Sequence, residues 1–282
     1  MVNCYRPNTL KEALDILNKE ECIILAGGTD LMVRRKQWSG LIPNFEEQVL
    51  FINHLPELKE VRVEDNDLII GSCCKLGELE MNSIIPQYLK DVIKEMASIG
   101  TRNIATIGGN ICNGSPAGDI LPPLYALRSK VVIANSNGER EIPIKELIVG
   151  SGKTILKNNE ILKEIIIENY NFTDYYYHKV GTRKSIALAK VSFIGFYKIE
   201  DDIVKDIRIA LGAVSPTIVN DRDLECSFIS LSRLETKAKL EEIIERYKEI
   251  IMPIDDARST ARYRKKVSIN LINYFFNERI FK

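Results

Sequence analysis

Several things are scarce in this 282-residue chain, and each scarcity closes off a class of function. There are two histidines, His54 and His178, so a histidine-rich metal site is not expected. The six cysteines, Cys4, Cys22, Cys73, Cys74, Cys112 and Cys226, include no C-x-x-C pair. They suggest neither a disulfide framework nor a four-cysteine metal site, but the reduced thiols of a cytoplasmic protein. No residue is therefore assigned to a metal. No stretch approaches the roughly 18 consecutive apolar residues of a membrane span. The opening Met1-Val2-Asn3-Cys4-Tyr5-Arg6-Pro7 lacks the basic and then apolar pattern of a secretion signal. Neither sign of charge is in excess, since 39 Lys+Arg face 39 Asp+Glu. A protein that lives on phosphate contacts needs a basic surplus, so nucleic acid is not the expected partner. G-x-G-x-x-G is absent, which removes support for a Rossmann dinucleotide fold. G-x-S-x-G is absent too, and with it the nucleophile elbow.

What is present describes an ordinary globular chain, 45% hydrophobic and 28% charged, long enough for about two domains. Thr9 and Glu12 have capping-box spacing, and Leu10, Ala13, Leu14 and Leu17 share a helical face. Cys22 to Ala26 is a short apolar run that ends in Gly27-Gly28, as a buried strand would. Residues 61–71 read as a hairpin about Asp65-Asn66-Asp67. A helix is expected from Pro86 to Ile99, with Leu89, Val92, Ile93 and Met96 inward. A second hairpin is expected around Asn135-Ser136-Asn137-Gly138, and a strand over Ile161–Ile167. After a polar break at 169–174 come two strands about Asp201-Asp202, then helices from about Arg233 to Ile250 and from near Arg258. Strands and helices mix without clean βαβ alternation, so the class is α+β.

Gly150-Ser151-Gly152-Lys153-Thr154 imitates the end of a phosphate-binding P-loop. The loop's first glycine, however, should stand at position 147, and Leu147 stands there. A surface turn is the better reading. Two other glycine segments are unlike ordinary turns. One is Ala26-Gly27-Gly28-Thr29-Asp30-Leu31, directly after the apolar run. The other is Thr106-Ile107-Gly108-Gly109-Asn110, continuing to Ser115-Pro116-Ala117-Gly118-Asp119. Adjacent glycines allow φ > 0 and close approach of backbone to a ligand, and successive N–H groups can form an anion nest. Two such nests would grip a pyrophosphate from both sides without basic side chains. Cys112 is the cysteine expected near the ligand, as a small packed residue.

These segments, in this order, resemble the FAD-binding medium subunit of the molybdenum hydroxylases, the xanthine dehydrogenase and carbon monoxide dehydrogenase family. The likeness extends to Tyr5-Arg6-Pro7, Glu160-Ile161-Leu162, Lys179-Val180-Gly181-Thr182-Arg183-Lys184 and Asp256-Ala257-Arg258-Ser259-Thr260-Ala261 with Tyr263-Arg264. It implies an FAD domain of the vanillyl-alcohol oxidase type over residues 1–172. A smaller α+β C-terminal domain with a short antiparallel sheet and helices would follow over 173–282. It implies FAD held by Ile24, Leu25, Ala26, Gly27, Gly28, Thr29, Asp30 and Leu31 and by Thr106, Ile107, Gly108, Gly109 and Asn110. Asp119, Leu162 and Lys179 would add contacts to the cofactor. No acid, base or nucleophile is expected, because in such a protein the cofactor carries the chemistry. The implied partners are a small subunit with 2Fe–2S clusters and a large molybdopterin subunit. Electrons would pass through FAD to NAD+ or another acceptor. A flavin-free structural subunit is the alternative. The segment before the second motif looks shorter than usual around Gly100, and Met96 stands where some relatives place an aromatic residue.

Overall fold

The computed structural model describes residues 2–184 and 186–282, which form two compact units. The first comprises residues 1–86, 98–114 and 129–168; the second takes 87–97, 115–128 and 169–282.

In the first unit, β1 (Cys4–Tyr5), β2 (Cys22–Leu25) and β3 (Gln48–Phe51) form a parallel sheet in the order β1-β3-β2. The helix Leu10–Leu17 links β1 to β2 and buries Leu10, Ala13, Leu14 and Leu17. Thr9 caps it by accepting from the Glu12 N–H at 3.1 Å, while the Glu12 carboxylate accepts from the Asn8 N–H at 2.7 Å. Its apolar stripe packs with Leu50, Ile52, Leu55, Leu58, Cys73, Ala134 and Ile161 in one core.

The second sheet of this unit contains β4 (Val61–Glu64), β5 (Asp67–Gly71), β6 (Lys130–Asn135), β7 (Gly138–Pro143) and β10 (Ile161–Glu168), in the order β4-β5-β10-β6-β7. Between them in sequence, β8 (Ile148–Gly150) and β9 (Lys153–Thr154) make a small separate hairpin. Asp65 and Asn66 turn the first hairpin with φ of 47° and 75°, the left-handed pair that two-residue hairpins require. β10 is central and buries Ile161, Leu162, Ile165 and Ile167. That explains a β-branched run without strict alternation. Its Glu164 is almost covered and is paired with Arg62 at 2.9 Å.

The second unit has an antiparallel sheet of β11 (Asp174–Val180), β12 (Val191–Glu200) and β13 (Ile203–Gly212). Asp201 and Asp202 turn the β12–β13 hairpin with φ of 50° and 64°. The helices Leu240–Ile250 and Ala261–Phe275 bury Ile243, Tyr247, Leu271, Ile272 and Phe275 in a core with Phe193, Ile207 and Ile209. Gly195 is glycine because a Cβ there would lie 2.6 Å from the Phe275 ring. Phe196 meets Tyr88 edge-on at 5.1 Å and Phe172 at 4.7 Å.

Two helices differ from expectation. The one starting near Pro86 spans Gln87–Lys94 only. Ala97 then takes φ of 42°, and Ser98 caps a new helix, Ile99–Arg102, by accepting from the Thr101 N–H. The expected helix from Arg233 to Ile250 breaks at Lys239 into Arg233–Ala238 and Leu240–Ile250. β1, β3 and β11 and the helix Arg222–Cys226 have no counterpart among the expected elements. Among the described residues no helix is long and apolar enough to cross a membrane.

Candidate functional site

The first unit contains a half-open cavity of about 330 Å³. One wall begins where β2 ends. Gly27 has no room for a side chain, since a Cβ would lie 2.3 Å from the Ile104 carbonyl oxygen. Gly28 takes φ of 70°, so the chain turns sharply into the short helix Leu31–Arg34. The Met32 N–H donates to the Gly28 carbonyl at 2.9 Å and the Arg34 N–H to that of Asp30 at 3.0 Å. The N–H groups of Gly27, Gly28, Thr29 and Asp30 meet no acceptor among the described residues. All four residues line the cavity. They are a ready supply of backbone donors for an anionic ligand.

The second glycine segment works differently from the expected nest. Thr106 caps the helix Ile107–Cys112, its Oγ1 accepting from the Gly109 N–H at 3.1 Å. The Ile107 N–H donates to the Cys74 carbonyl at 3.0 Å, Gly108 to Ser72 at 2.8 Å and Asn110 to Thr106 at 3.0 Å. These amides are committed inside the protein, and neither Gly108 nor Gly109 has φ > 0. Gly108 is glycine for close packing, because a Cβ would lie 2.5 Å from the Ser72 Cβ and 2.7 Å from its carbonyl oxygen. What this wall brings to the cavity is the residues Thr106, Gly108, Gly109 and Asn110 with Ser72 behind them. Asn110 Oδ1 and Ser72 Oγ are buried without a hydrogen-bond partner, and both residues line the cavity. A buried polar atom without a partner costs about 1–3 kcal/mol.

Of the residues expected around the ligand, Ile24, Ala26 to Leu31, Thr106, Gly108, Gly109, Asn110 and Leu162 line this cavity. Leu25 lies beside it under Gly28, and Ile107 is fully buried. β2 is half-buried rather than fully buried, because its Ile23 and Ile24 face the cavity. Arg34, Ser72, Asn113, Gly152 and Glu160 also line it and were not foreseen as site residues. The segment Gly150–Thr154 is a turn joining β8 to β9, as expected. Its Gly152 reaches the wall because its N–H donates to the Gly114 carbonyl at 2.9 Å. No local signal announces that contact.

The wall contains little reactive chemistry. Burial pushes the Cys73 and Cys112 thiols up to about 12, so both stay protonated at neutral pH. Burial pushes the Glu160 carboxyl up as well. The Lys157 N–H at 3.0 Å and Arg140 at 2.7 Å outweigh that and hold it below its ordinary range. Among the described residues no group of three His, Cys, Asp or Glu could hold a metal ion.

Asp119 and Lys179 belong to the second unit, where they bind each other. The Lys179 ammonium lies 2.7 Å from Asp119 Oδ2 and 2.8 Å from the Glu95 carbonyl oxygen, to which it donates. Burial pushes the Asp119 carboxyl up to about 6 against the pull of Lys179. Its Oδ1 is buried without a partner, as is the Tyr177 hydroxyl, which burial raises well above its ordinary value.

The family model described as the FAD binding domain in molybdopterin dehydrogenase matches residues 1–168. The chain belongs to that family. A second family model, the CO dehydrogenase flavoprotein C-terminal domain, matches residues 176–279. The nicotinate dehydrogenase FAD-subunit of Eubacterium barkeri is 29% identical over 70% of this chain and 69% of its own length. The xanthine dehydrogenase FAD-binding subunit of Escherichia coli O157:H7 is 27% identical over 95% of this chain and 91% of its own. A solved carbon monoxide dehydrogenase chain from Hydrogenophaga pseudoflava superposes with a TM-score of 0.85 at 25% identity, covering 96% of this chain and 94% of that one. The α+β architecture of an FAD-binding domain followed by a C-terminal domain is that of this family. The relatives are subunits of dehydrogenases, and the chain is an oxidoreductase component with FAD as its cofactor. The cavity suits such a group on structural grounds. The residues with free amides, Gly27 to Asp30, the left-handed Gly28 among them, line one space with Ser72 and Asn110.

Proposed function

We propose that this chain is the flavin-carrying, electron-transfer subunit of a multisubunit molybdenum hydroxylase. Its partners would be a small subunit with 2Fe–2S clusters and a large molybdopterin subunit, and its acceptor NAD+ or another oxidant. The relatives named as FAD-subunits and FAD-binding subunits support this reading. The observation that carries it is the cavity itself, lined inside the FAD-family domain by four residues whose backbone N–H groups meet no acceptor among the described residues.

FAD, when bound, supplies a centre that accepts and releases one or two electrons. The task of the chain is then to bind, orient and exclude water. The amides of Gly27 to Asp30 would hold the pyrophosphate, and Thr106 to Asn110 would form the facing wall. The apolar Ile24 and Leu162 would exclude water from the rings. The functional division would be 1–172 for the cofactor domain and 173–282 for the C-terminal domain. Asp119 and Lys179 are proposed as additional cofactor contacts, and Lys179→Met tests them separately from the cavity. No acid or base of the chain is proposed as catalytic, because the cofactor would carry the chemistry.

The deciding experiment is reconstitution. The purified full chain is incubated with FAD, freed of excess and examined for the yellow flavin band. Stoichiometric flavin that NADH bleaches supports the electron-transfer role and the NAD+ acceptor together. Colourless protein that binds no added FAD supports instead a flavin-free structural subunit.

A further inference from the structure

We propose that Arg34 is a further binding residue of this cavity, a guanidinium that neutralises the pyrophosphate, with Asp30 as its resting counter-ion. The inference rests on the FAD reading above. Arg34 lies outside both glycine segments.

The wall carries few charges. Among the described lining residues Arg34 is the one Lys or Arg, and Asp30 and Glu160 are the two acids. Glu160 already accepts from Arg140 at 2.7 Å and from the Lys157 N–H at 3.0 Å. Asp30 lies 2.6 Å from Arg34 Nε. The wall is therefore balanced as it stands. A pyrophosphate brings about two negative charges, and backbone amides answer them with partial charges only.

Arg34 is also well placed. It stands one turn beyond the loop whose amides are free, its own N–H donating to the Asp30 carbonyl at 3.0 Å. Its Nη2 donates to Asn113 Oδ1 at the end of the helix that carries the second glycine segment. The guanidinium thus spans the interval between the two segments. Nη1 meets no acceptor among the described residues. An arginine fork suits a phosphate because two N–H groups can reach two oxygens at once. The Asp30 partnership is easily exchanged. The Arg34 side chain is 61% exposed, and ion pairs that exposed are worth little.

The test is FAD titration of the full chain, followed by flavin fluorescence, at low and at moderate salt. Arg34→Gln is expected to weaken FAD binding about tenfold and to flatten its salt dependence. Arg34→Lys recovers part of the loss, because a point charge remains without the fork. Asp30→Asn keeps the loop amide, removes the competing carboxylate and binds FAD at least as tightly as the parent chain. Two results overturn the inference while leaving the FAD reading intact. One is an Arg34→Gln chain with parental affinity and salt slope. The other is an Asp30→Asn loss as large as that of Arg34→Gln, which marks the Asp30–Arg34–Asn113 bridge as architectural. A parent chain that binds no FAD overturns both readings together.

Discussion

Replacing Gly108 by alanine is the sharpest probe of how the cavity is built. The added Cβ would sit 2.5 Å from the Ser72 Cβ and 2.7 Å from the Ser72 carbonyl oxygen. Neither neighbour is the far end of a flexible side chain, so backbone must move by about an ångström. Overpacking of this kind costs typically 1–3 kcal/mol. The same movement stretches the 2.8 Å bond from the Gly108 N–H to the Ser72 carbonyl. Losing that bond adds about 1 kcal/mol. The sum is about 2–4 kcal/mol, or a melting temperature lower by about 5–10 °C for a domain of this size. Because Gly108 and Ser72 both line the cavity, flavin retention should fall in parallel. Gly40→Ala, outside the cavity wall, is the control. Gly40 has φ of 87° with open space around its Cβ, so only left-handed strain of about 1 kcal/mol applies. Thermal denaturation with a flavin assay on both variants decides the matter. A Gly108→Ala chain as stable and as yellow as its parent would show that the contact with Ser72 does not shape the wall.

Two further outcomes follow from other residues. Lys153 is exposed and its segment is a hairpin turn, so Lys153→Ala should leave FAD affinity unchanged; a large loss would revive the P-loop reading. Asp119 provides a pH test. Its carboxyl is raised from 3.8 to about 6 by burial, with Glu95 adding to the rise and Lys179 opposing it. The folded state therefore holds this proton more tightly than the unfolded chain does. The associated stability is fully present below pH 4 and is lost as pH climbs through about 6. The change is on the order of 3 kcal/mol. Urea denaturation between pH 4 and 7 should show a fall for the parent chain that is shallower by that amount in Asp119→Asn. Equal slopes would refute the assignment.

Local chemistry makes some elements readable in the sequence. Leu10, Ala13, Leu14 and Leu17 specify their helix because their spacing matches its pitch and Thr9 supplies the cap. Asp65-Asn66 and Asp201-Asp202 specify hairpins because short polar side chains tolerate the left-handed region. Other elements are opaque. Ala97 carries no turn signal, yet its φ of 42° ends one helix so that Ser98 can cap the next. β11 is masked although Tyr175, Tyr176 and Tyr177 favour strands, because the polar break at 169–174 runs straight into it.

The candidate site divides along the same line. Double glycines mark both walls, since missing side chains show directly in a sequence. Their purposes do not show. Gly28 needs a left-handed φ, Gly27 and Gly108 need room beside Ile104 and Ser72, and the amides after Thr106 are spent inside the protein. Which amides stay free depends on acceptors at Ser72 and Cys74, far away in the chain.

By itself, then, the order of residues determined the α+β class and the two glycine segments, because propensity, periodicity and the absence of a side chain are local properties; the motifs in their order carried the resemblance to the family. Tertiary structure alone decided that Arg34, Ser72, Asn113 and Gly152 share one cavity, that Asn110 and Ser72 bury oxygens without partners, and that residues 87–97 and 115–128 join the second unit. Those outcomes follow from which distant backbones approach closely enough to exchange hydrogen bonds, and no local pattern records that choice.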